Sequence, residues 1–313
     1  MTVRIYEVEP ADLPRYVELH RAIFPEPPSP LERVGTAEQL ASYMLVHPNQ
    51  QRMIAELDGR PVGLARAAVN PQARARGGVY TFVGVDAEFT GRGVGTSLYR
   101  AVSSWAASVG ASALVSQLIE TEEQGLSWAA RRGFVELARD QRLALVLKLA
   151  RVPAPRPPAG VEVTTLAQHP ELLRGVYEVL LEAEPDVPGS EEIELPPFEE
   201  WRESEFYWAT KNPEAVFMVI TTSPTEVVGL ASLDLRADGL AVHVGTGVKR
   251  AWRGRGLARA LKATQIAWAK ESGYELLETS NDIRNTPILR LNESFGYTDL
   301  PSVLTLRGPL APP

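Results

Sequence analysis

The sequence predicts a mixed α/β protein whose strands form a mixed sheet, built as two tandem copies of one domain. Three observations predict it. First, landmarks repeat at a single spacing. Thr90 and Arg253, Gly110 and Gly273, and the pairs Gly133-Phe134 and Gly296-Tyr297 all lie 163 residues apart. Upstream, Gly63-Leu64-Ala65 matches Gly229-Leu230-Ala231 at 166 residues, so a small insertion or deletion lies between. Second, Arg151–Gly160 (RVPAPRPPAG) places Pro153, Pro155, Pro157 and Pro158 near the chain midpoint. Proline fixes φ and removes a backbone donor, so this stretch suits neither a helix interior nor a central strand. It divides the chain into 1–150, a linker at 151–160, and 161–313. Third, short apolar runs alternate with stretches of helical periodicity in each copy.

The elements follow in order. Copy one opens with a strand over Val3–Val8 and a helix from Pro10 to Ile23. Strands follow at Arg52–Leu57, Pro61–Ala68 and Val79–Val85. A glycine loop then leads into a helix reaching Val109. Strand Ala113–Leu118, a helix ending at Arg132 and strand Leu143–Leu149 complete the copy. Beyond the linker, Val161–Leu166 alternates like the start of a second domain. In the helix after each loop, Leu98, Val102, Trp105 and Val109, and likewise Leu257, Leu261, Thr264 and Trp268, fall on one face. Such stripes are expected to pack the core.

Composition narrows the function. A net charge of −7 gives nucleic acid or an anionic membrane little to bind, because phosphate neutralisation needs clustered Lys and Arg. Cysteine is absent, which removes disulfides, zinc–thiolate and iron–sulfur sites, and cysteine nucleophiles. The histidines His20, His47, His169 and His243 are scattered without paired spacing, so no metal is expected. The N-terminus MTVRIYEVEP lacks an apolar signal core, and no apolar run approaches ~18 residues. A soluble, cytoplasmic protein is expected.

The chemistry gathers at the glycine loops. In copy two a strand ends at Val248, and Arg253-Gly254-Arg255-Gly256 opens a helix. Glycine lets backbone come close to a ligand. The unpaired N–H groups of a helix start, at the positive end of its dipole, suit a pyrophosphate. The same glycines also suit a plain tight turn. Neither loop ends in the Gly-Lys-Ser/Thr of a Walker motif, and neither fits the dinucleotide pattern GxGxxG.

The segment VKRAWRGRGLARALK resembles the acyl-coenzyme A loop of the GNAT superfamily of N-acetyltransferases, Arg/Gln-x-x-Gly-x-Gly/Ala, at Arg253, Gly256 and Ala258. Copy one matches at Gly93 and Gly95 but has Thr90 first. A second landmark, an Asn-led helix ending in Gly-Phe/Tyr, resembles Asn285 through Gly296-Tyr297. In copy one it resembles Glu122 through Gly133-Phe134, without the Asn. The resemblance covers nearly the whole chain as two GNAT domains. It implies acetyl-coenzyme A as co-substrate, its pantetheine lying where the strands ending near Val248 and Leu277 splay apart. It implies coenzyme contacts from Val248, Arg253, Gly254, Arg255, Gly256, Leu257, Ala258, Asn285 and Asn292, and from Val85, Gly91, Arg92, Gly93, Val94 and Gly95 in copy one. An amine would attack the thioester directly.

An amine with a pKa near ~10 needs a base to take its proton. The candidates are His243, in the strand before the loop, and Glu278, at the end of the next strand. Each has a structural alternative: a satisfied buried histidine, and a solvated strand end. Many GNAT enzymes carry a Tyr acid eight positions into the Asn-led helix, counting the Asn as the first. Here that position is Asn292, and Ala129 in copy one, so the acid does not carry over. Asn292 either bonds coenzyme or substrate, or caps local backbone. Copy one places Thr90 for Arg253, Glu122 for Asn285, Ala129 for Asn292 and Tyr80 for His243, so copy two is expected to be the active one. The glutamate-rich Gly189–Trp208, ending Phe206-Tyr207-Trp208, would favour a cationic amine if it walls the acceptor site. The expected partner is a small amine or peptide amino group, with neither nucleic acid nor membrane. The chain is expected as a monomer with an internal pseudo-dimer, or as a homo-oligomer. The rival reading is a non-catalytic acyl-coenzyme A binding or sensing protein.

Overall fold

The computed structural model describes residues 2–25, 35–69, 73, 77–151, 154, 156–190, 194–203, 212–236 and 238–312. The first repeat runs β1 (Val3–Glu7), α1 (Leu13–Ile23), α2 (Ala37–Val46), β2 (Gln50–Leu57), β3 (Arg60–Ala68), β4 (Gly78–Val85), α3 (Val94–Ser108), β5 (Ala113–Ile119), α4 (Glu123–Ala130) and β6 (Val135–Val146). The second runs β7 (Val161–Thr165), α5 (Leu173–Ala183), α6 (Phe198–Glu203), β8 (Val216–Thr221), β9 (Val227–Leu235), β10 (Leu240–Val248), α7 (Leu257–Glu271), β11 (Leu276–Asp282), α8 (Thr286–Ser294) and β12 (Thr298–Pro309).

Contacts divide the chain into two units. Unit 1 is Met1–Arg139 with Val303–Pro313, and unit 2 is Asp140–Ser302. In unit 1 the strand order is β1-β2-β3-β4-β5-β12, antiparallel except for the parallel β4–β5 pair. In unit 2 it is β7-β8-β9-β10-β11-β6, with β10–β11 parallel. Each sheet buries both faces. In unit 2, α7 covers one face with Leu257, Leu261 and Ile266, and α5 with Trp201 of α6 covers the other. In unit 1, α3 and α1 hold the same places.

The units are not the two sequence halves. Residues 140–146 of β6 pair with β11 in unit 2, from Asp140↔Asp282 to Val146↔Leu276. Residues 303–309 of β12 pair with β5 in unit 1, from Val303↔Ile119 to Pro309↔Ala113. The repeats have therefore exchanged their last strands. The chain passes between units at Arg139/Asp140 and Ser302/Val303, not at the proline-rich 151–160. The sequence places an apolar strand near Leu143 because Leu143, Leu145 and Leu147 do pack a core, but it is that of unit 2.

Other expectations shift less. The strand expected over Leu143–Leu149 starts earlier, at Val135, and gives way to a turn after Val146. Val109 ends its helix exposed, and Ala106 takes its place in the buried face with Leu98 and Val102. Helix α2 has a signal that the periodicity did not bring out. Thr36 and Gln39 form a reciprocal cap, Thr36 N–H donating to Gln39 Oε1 at 2.9 Å.

Candidate active site

Both glycine loops have the same backbone. Gly254 and Gly256 adopt φ of 74° and 83°, and Gly91 and Gly93 adopt 75° and 85°. A side chain at any of the four would meet no described atom within 4 Å, so conformation and not space requires glycine here. Gly256 caps α7 without any side-chain hydrogen bond, which leaves first-turn N–H groups free for an anion. The arginines are mostly spent on the loop itself. Arg253 Nε donates to Val248 O at 2.9 Å, and its guanidinium meets Asp186 at 2.7 Å. Arg250 also grips Asp186, at 2.8 Å, and the two cations hold the Asp186 carboxyl down to about 2. Arg255 lies over the Trp252 ring and donates to Ala251 O at 3.1 Å.

The strands open beside this loop. β10 and β11 pair only at Leu240↔Leu276, Ala241↔Leu277 and Val242↔Glu278, although both run on. Against β9, the register of β10 jumps from His243↔Leu233 to Gly245↔Ser232. Val244 is thus an extra residue, and such a bulge bends the strand away from its neighbour. β4 shows no such jump against β3, yet β4 and β5 also pair at only three positions, so the strands open with or without the bulge. Counting through the bulge corrects one equivalence: the counterpart of His243 is Thr81, not Tyr80, since Thr81↔Ala67 and His243↔Leu233 occupy one register position.

The sheet face turned towards α5 carries charge on the strands either side of β10. Alternation puts Ser232 and Asp234 on this side, because Ala231 and Leu233 pack towards α7. Glu278 joins them for the same reason, between Leu277 and the opening of the strands. Asp234 and Glu278 flank Val242 from the two neighbouring strands, so their Cα atoms lie about 10 Å apart. Each carboxylate meets an arginine: Glu278 with Arg142 of β6 at 3.3 Å, and Asp234 with Arg236 at 2.6 Å. Burial raises the Asp234 pKa, against the pull of Arg236. Past Val242, which lies between the two carboxylates, the floor opens at Gly245. No described atom lies within 4 Å of where a side chain at Gly245 would begin.

Unit 1 closes the same place. The counterpart of Gly245 is Phe82, and it meets Phe24 edge-on at 5.6 Å. Phe24 also lies against Gly84, where an added Cβ would stand 2.5 Å from its ring. The equivalents of Asp234, Glu278 and Arg142 are Ala68, Val115 and Thr305. In unit 1, then, aromatic and small neutral side chains stand where unit 2 has open space and charge.

The acetyltransferase (GNAT) family profile matches twice, at residues 13–134 and 174–297. The chain belongs to the GNAT family. It is an acyltransferase built from two GNAT domains in tandem. Solved GNAT structures share the fold. A GCN5-related N-acetyltransferase from Sphaerobacter thermophilus is 21% identical, with a TM-score of 0.74 over 99% of this chain and 96% of that one. A tandem GNAT protein from the clavulanic acid biosynthesis pathway, without AcCoA, is 18% identical, with a TM-score of 0.78 over 100% of both chains. No curated protein sequence matches the chain.

Within this GNAT frame the remaining candidates separate. His243 points to the α7 side, opposite Glu278. It is 8% exposed, and its Nε2 lies 2.6 Å from Tyr297 Oη. Burial and then the charge of Lys262 push its pKa well down, against a smaller upward push from Gln265. The structure thus separates the two candidate bases on opposite faces: both are buried, Glu278 at 6% exposure being no solvated strand end, and the histidine is the one committed to Tyr297. Asn292 is fully buried and donates to Asn281 Oδ1 at 3.0 Å, while its own Oδ1 has no partner. Asn285 sits at the N-cap of α8 with its side chain unused as a cap. Of the glutamate-rich segment, residues 191–193 and 204–208 lie outside the described residues. Glu199, Glu200 and Glu203 are exposed on α6, whose Trp201 is buried. Among the described residues no cluster of ligating side chains could hold a metal ion, and no helix is long and apolar enough to cross a membrane.

Sequence reasoning missed Asp234, Arg236 and Arg142. A lone Asp or Arg in or just past a strand carries no motif. Their convergence depends on strand order and, for Arg142, on the strand exchange.

Proposed function

We propose that unit 2 transfers the acetyl group of acetyl-coenzyme A to a primary amine, with Glu278 as the base. The parallel strands open in both units; the observation that carries this reading is the conjunction, in unit 2 alone, of a carboxylate at their mouth and an open floor at Gly245. The coenzyme fits the residues present. The uncapped start of α7, at Leu257 and Ala258, would take its pyrophosphate. The unpartnered Oδ1 of Asn292 and the uncapping side chain of Asn285 would meet the amide groups of its arm.

Bound acetyl-coenzyme A supplies an acetyl group activated as a thioester. Glu278 takes one proton from the substrate ammonium, directly or through a water. The freed lone pair attacks the carbonyl carbon, so that a C–N bond forms as the C–S bond breaks. The nitrogen then loses its second proton to water, and the departing thiolate takes up one proton. Asn292 cannot donate that proton, so water or protonated Glu278 supplies it. Unit 1 keeps the glycine loop but lacks the base and the floor, and we assign it no turnover.

The test uses the full chain with acetyl-coenzyme A and a broad panel of amines, read by thiol release. Acetyl-coenzyme A binding with turnover of at least one amine is expected. Binding without turnover of any would favour the rival acyl-coenzyme A sensor.

A further inference from the structure

We infer that the acceptor of unit 2 carries its own carboxylate beside the amine, and that Arg142 reads it. This rests on the acetyl-transfer reading above. Charge is balanced on a single sheet face. Glu278 and Asp234 would attract a cation, but each is already matched by a guanidinium, at 3.3 Å and 2.6 Å. The four groups sum to zero. A plain ammonium approaching Glu278 meets Arg142 at nearly the same distance and gains little. An acceptor with both charges meets each group with its opposite: ammonium to Glu278, carboxylate to Arg142.

Arg142 has donors to spare. A guanidinium presents five N–H groups in a fork suited to carboxylate. Arg142 spends one on Glu278 at 3.3 Å, long for a charge-assisted bond, and its buried Nε has no partner. Its side chain is 13% exposed, so solvent does little to satisfy it. Arg236 Nε is likewise buried without a partner. The fold does not require such a cation, because unit 1 builds the equivalent strand position with Thr305, which accepts a hydrogen bond from Gln117 at 3.3 Å. Arg142 is therefore a specificity-determining residue that the first repeat contributes to the site of the second.

The experiment needs no variant to begin. The full chain is assayed by thiol release with an α-amino acid and a longer ω-amino acid. Each is paired with its carboxamide and with the plain alkylamine of equal length. The carboxylated member of at least one set is expected to exceed both twins in kcat/KM by about 10- to 100-fold, the worth of one charge-assisted contact. Arg142→Gln is then expected to bring that ratio towards one. A purely structural Arg142 would lower all rates together and leave the ratio standing, which overturns the inference. Equal or faster turnover of the carboxamides and alkylamines overturns it too, while leaving acetyl transfer intact. If no amine is turned over although acetyl-coenzyme A binds, the acetyl-transfer reading itself fails.

Discussion

Glu278 and Lys262 show how differently two buried charges serve one domain. Glu278 is held by Arg142 at the mouth of the opened strands. Replacing it by Gln keeps its size and an acceptor oxygen but removes the base. General bases contribute about 10²- to 10⁴-fold, so Glu278→Gln is expected to lower kcat by at least ~100-fold. The KM for acetyl-coenzyme A should move little. A fall of under ~3-fold in steady-state thiol release would remove Glu278 from the proton transfer. Lys262 is 1% exposed on α7, with its ammonium over the Tyr297 ring at 5.4 Å. Burial pulls its pKa down to about 7. The unfolded chain therefore binds more protons than the folded one between about pH 7 and 10, and stability rises with pH across that window. The contribution is full above the unfolded pKa and lost as pH falls through the folded one. Lys262→Met is expected to raise stability at pH 7 by an amount on the order of 4 kcal/mol. It should also flatten the slope between pH 7 and 9, as measured by denaturant unfolding. Both are legible only in part: Glu278 reads as a strand end but lies third of seven residues in β11 and buried, and a lysine inside a helical pattern reads as solvent-facing.

Among the elements, the loop was the most legible and the bulge the least. Gly254 and Gly256 hold positive φ, which other residues rarely adopt, so the chain advertises the turn in its composition. The bulge adds one residue to a strand and leaves no such mark. It was also masked by arithmetic. The repeats are offset by 166 residues at Gly63 and Gly229, by 162 at the paired starts of β4 and β10, and by 163 after Val244. Sequence shows only the first and last values, so it sets His243 against Tyr80, whereas the register sets it against Thr81. The bulge and Gly245 together make the open floor, and unit 1 shows how it closes. Gly245→Phe would copy Phe82. The first atom of the new side chain meets no described atom within 4 Å, and the backbone there is not left-handed. Folding should survive, with Tm within a few degrees, while acceptor kcat/KM falls by ~100-fold or more. Unchanged acceptor kinetics would show that the amine enters elsewhere.

For the whole molecule, the duplication was readable and the strand exchange was not. Matching landmarks reveal that a domain repeats. They say nothing of which copy a final strand closes, since both copies offer β5 or β11 the same kind of partner. The exchange changes what a fragment means. A chain cut in the linker yields 1–150, which carries Asp140–Val146 away from unit 2, and 151–313, which carries Val303–Pro309 away from unit 1. The second fragment would expose the edge of β11 and lose Leu143, Leu145 and Leu147 from its core. At about 2 kcal/mol for each buried leucine, the loss is ~6 kcal/mol, comparable with the whole stability of an ordinary domain. Each fragment alone is therefore expected to unfold at low temperature or aggregate through the bare strand edge. Each supplies the strand that the other lacks, so co-expression should restore a stable complex that melts as one and turns over with the intact chain. Thermal unfolding of the separate and mixed fragments decides it: a 151–313 fragment that melts alone near the full-length Tm would mean that β6 is dispensable to unit 2.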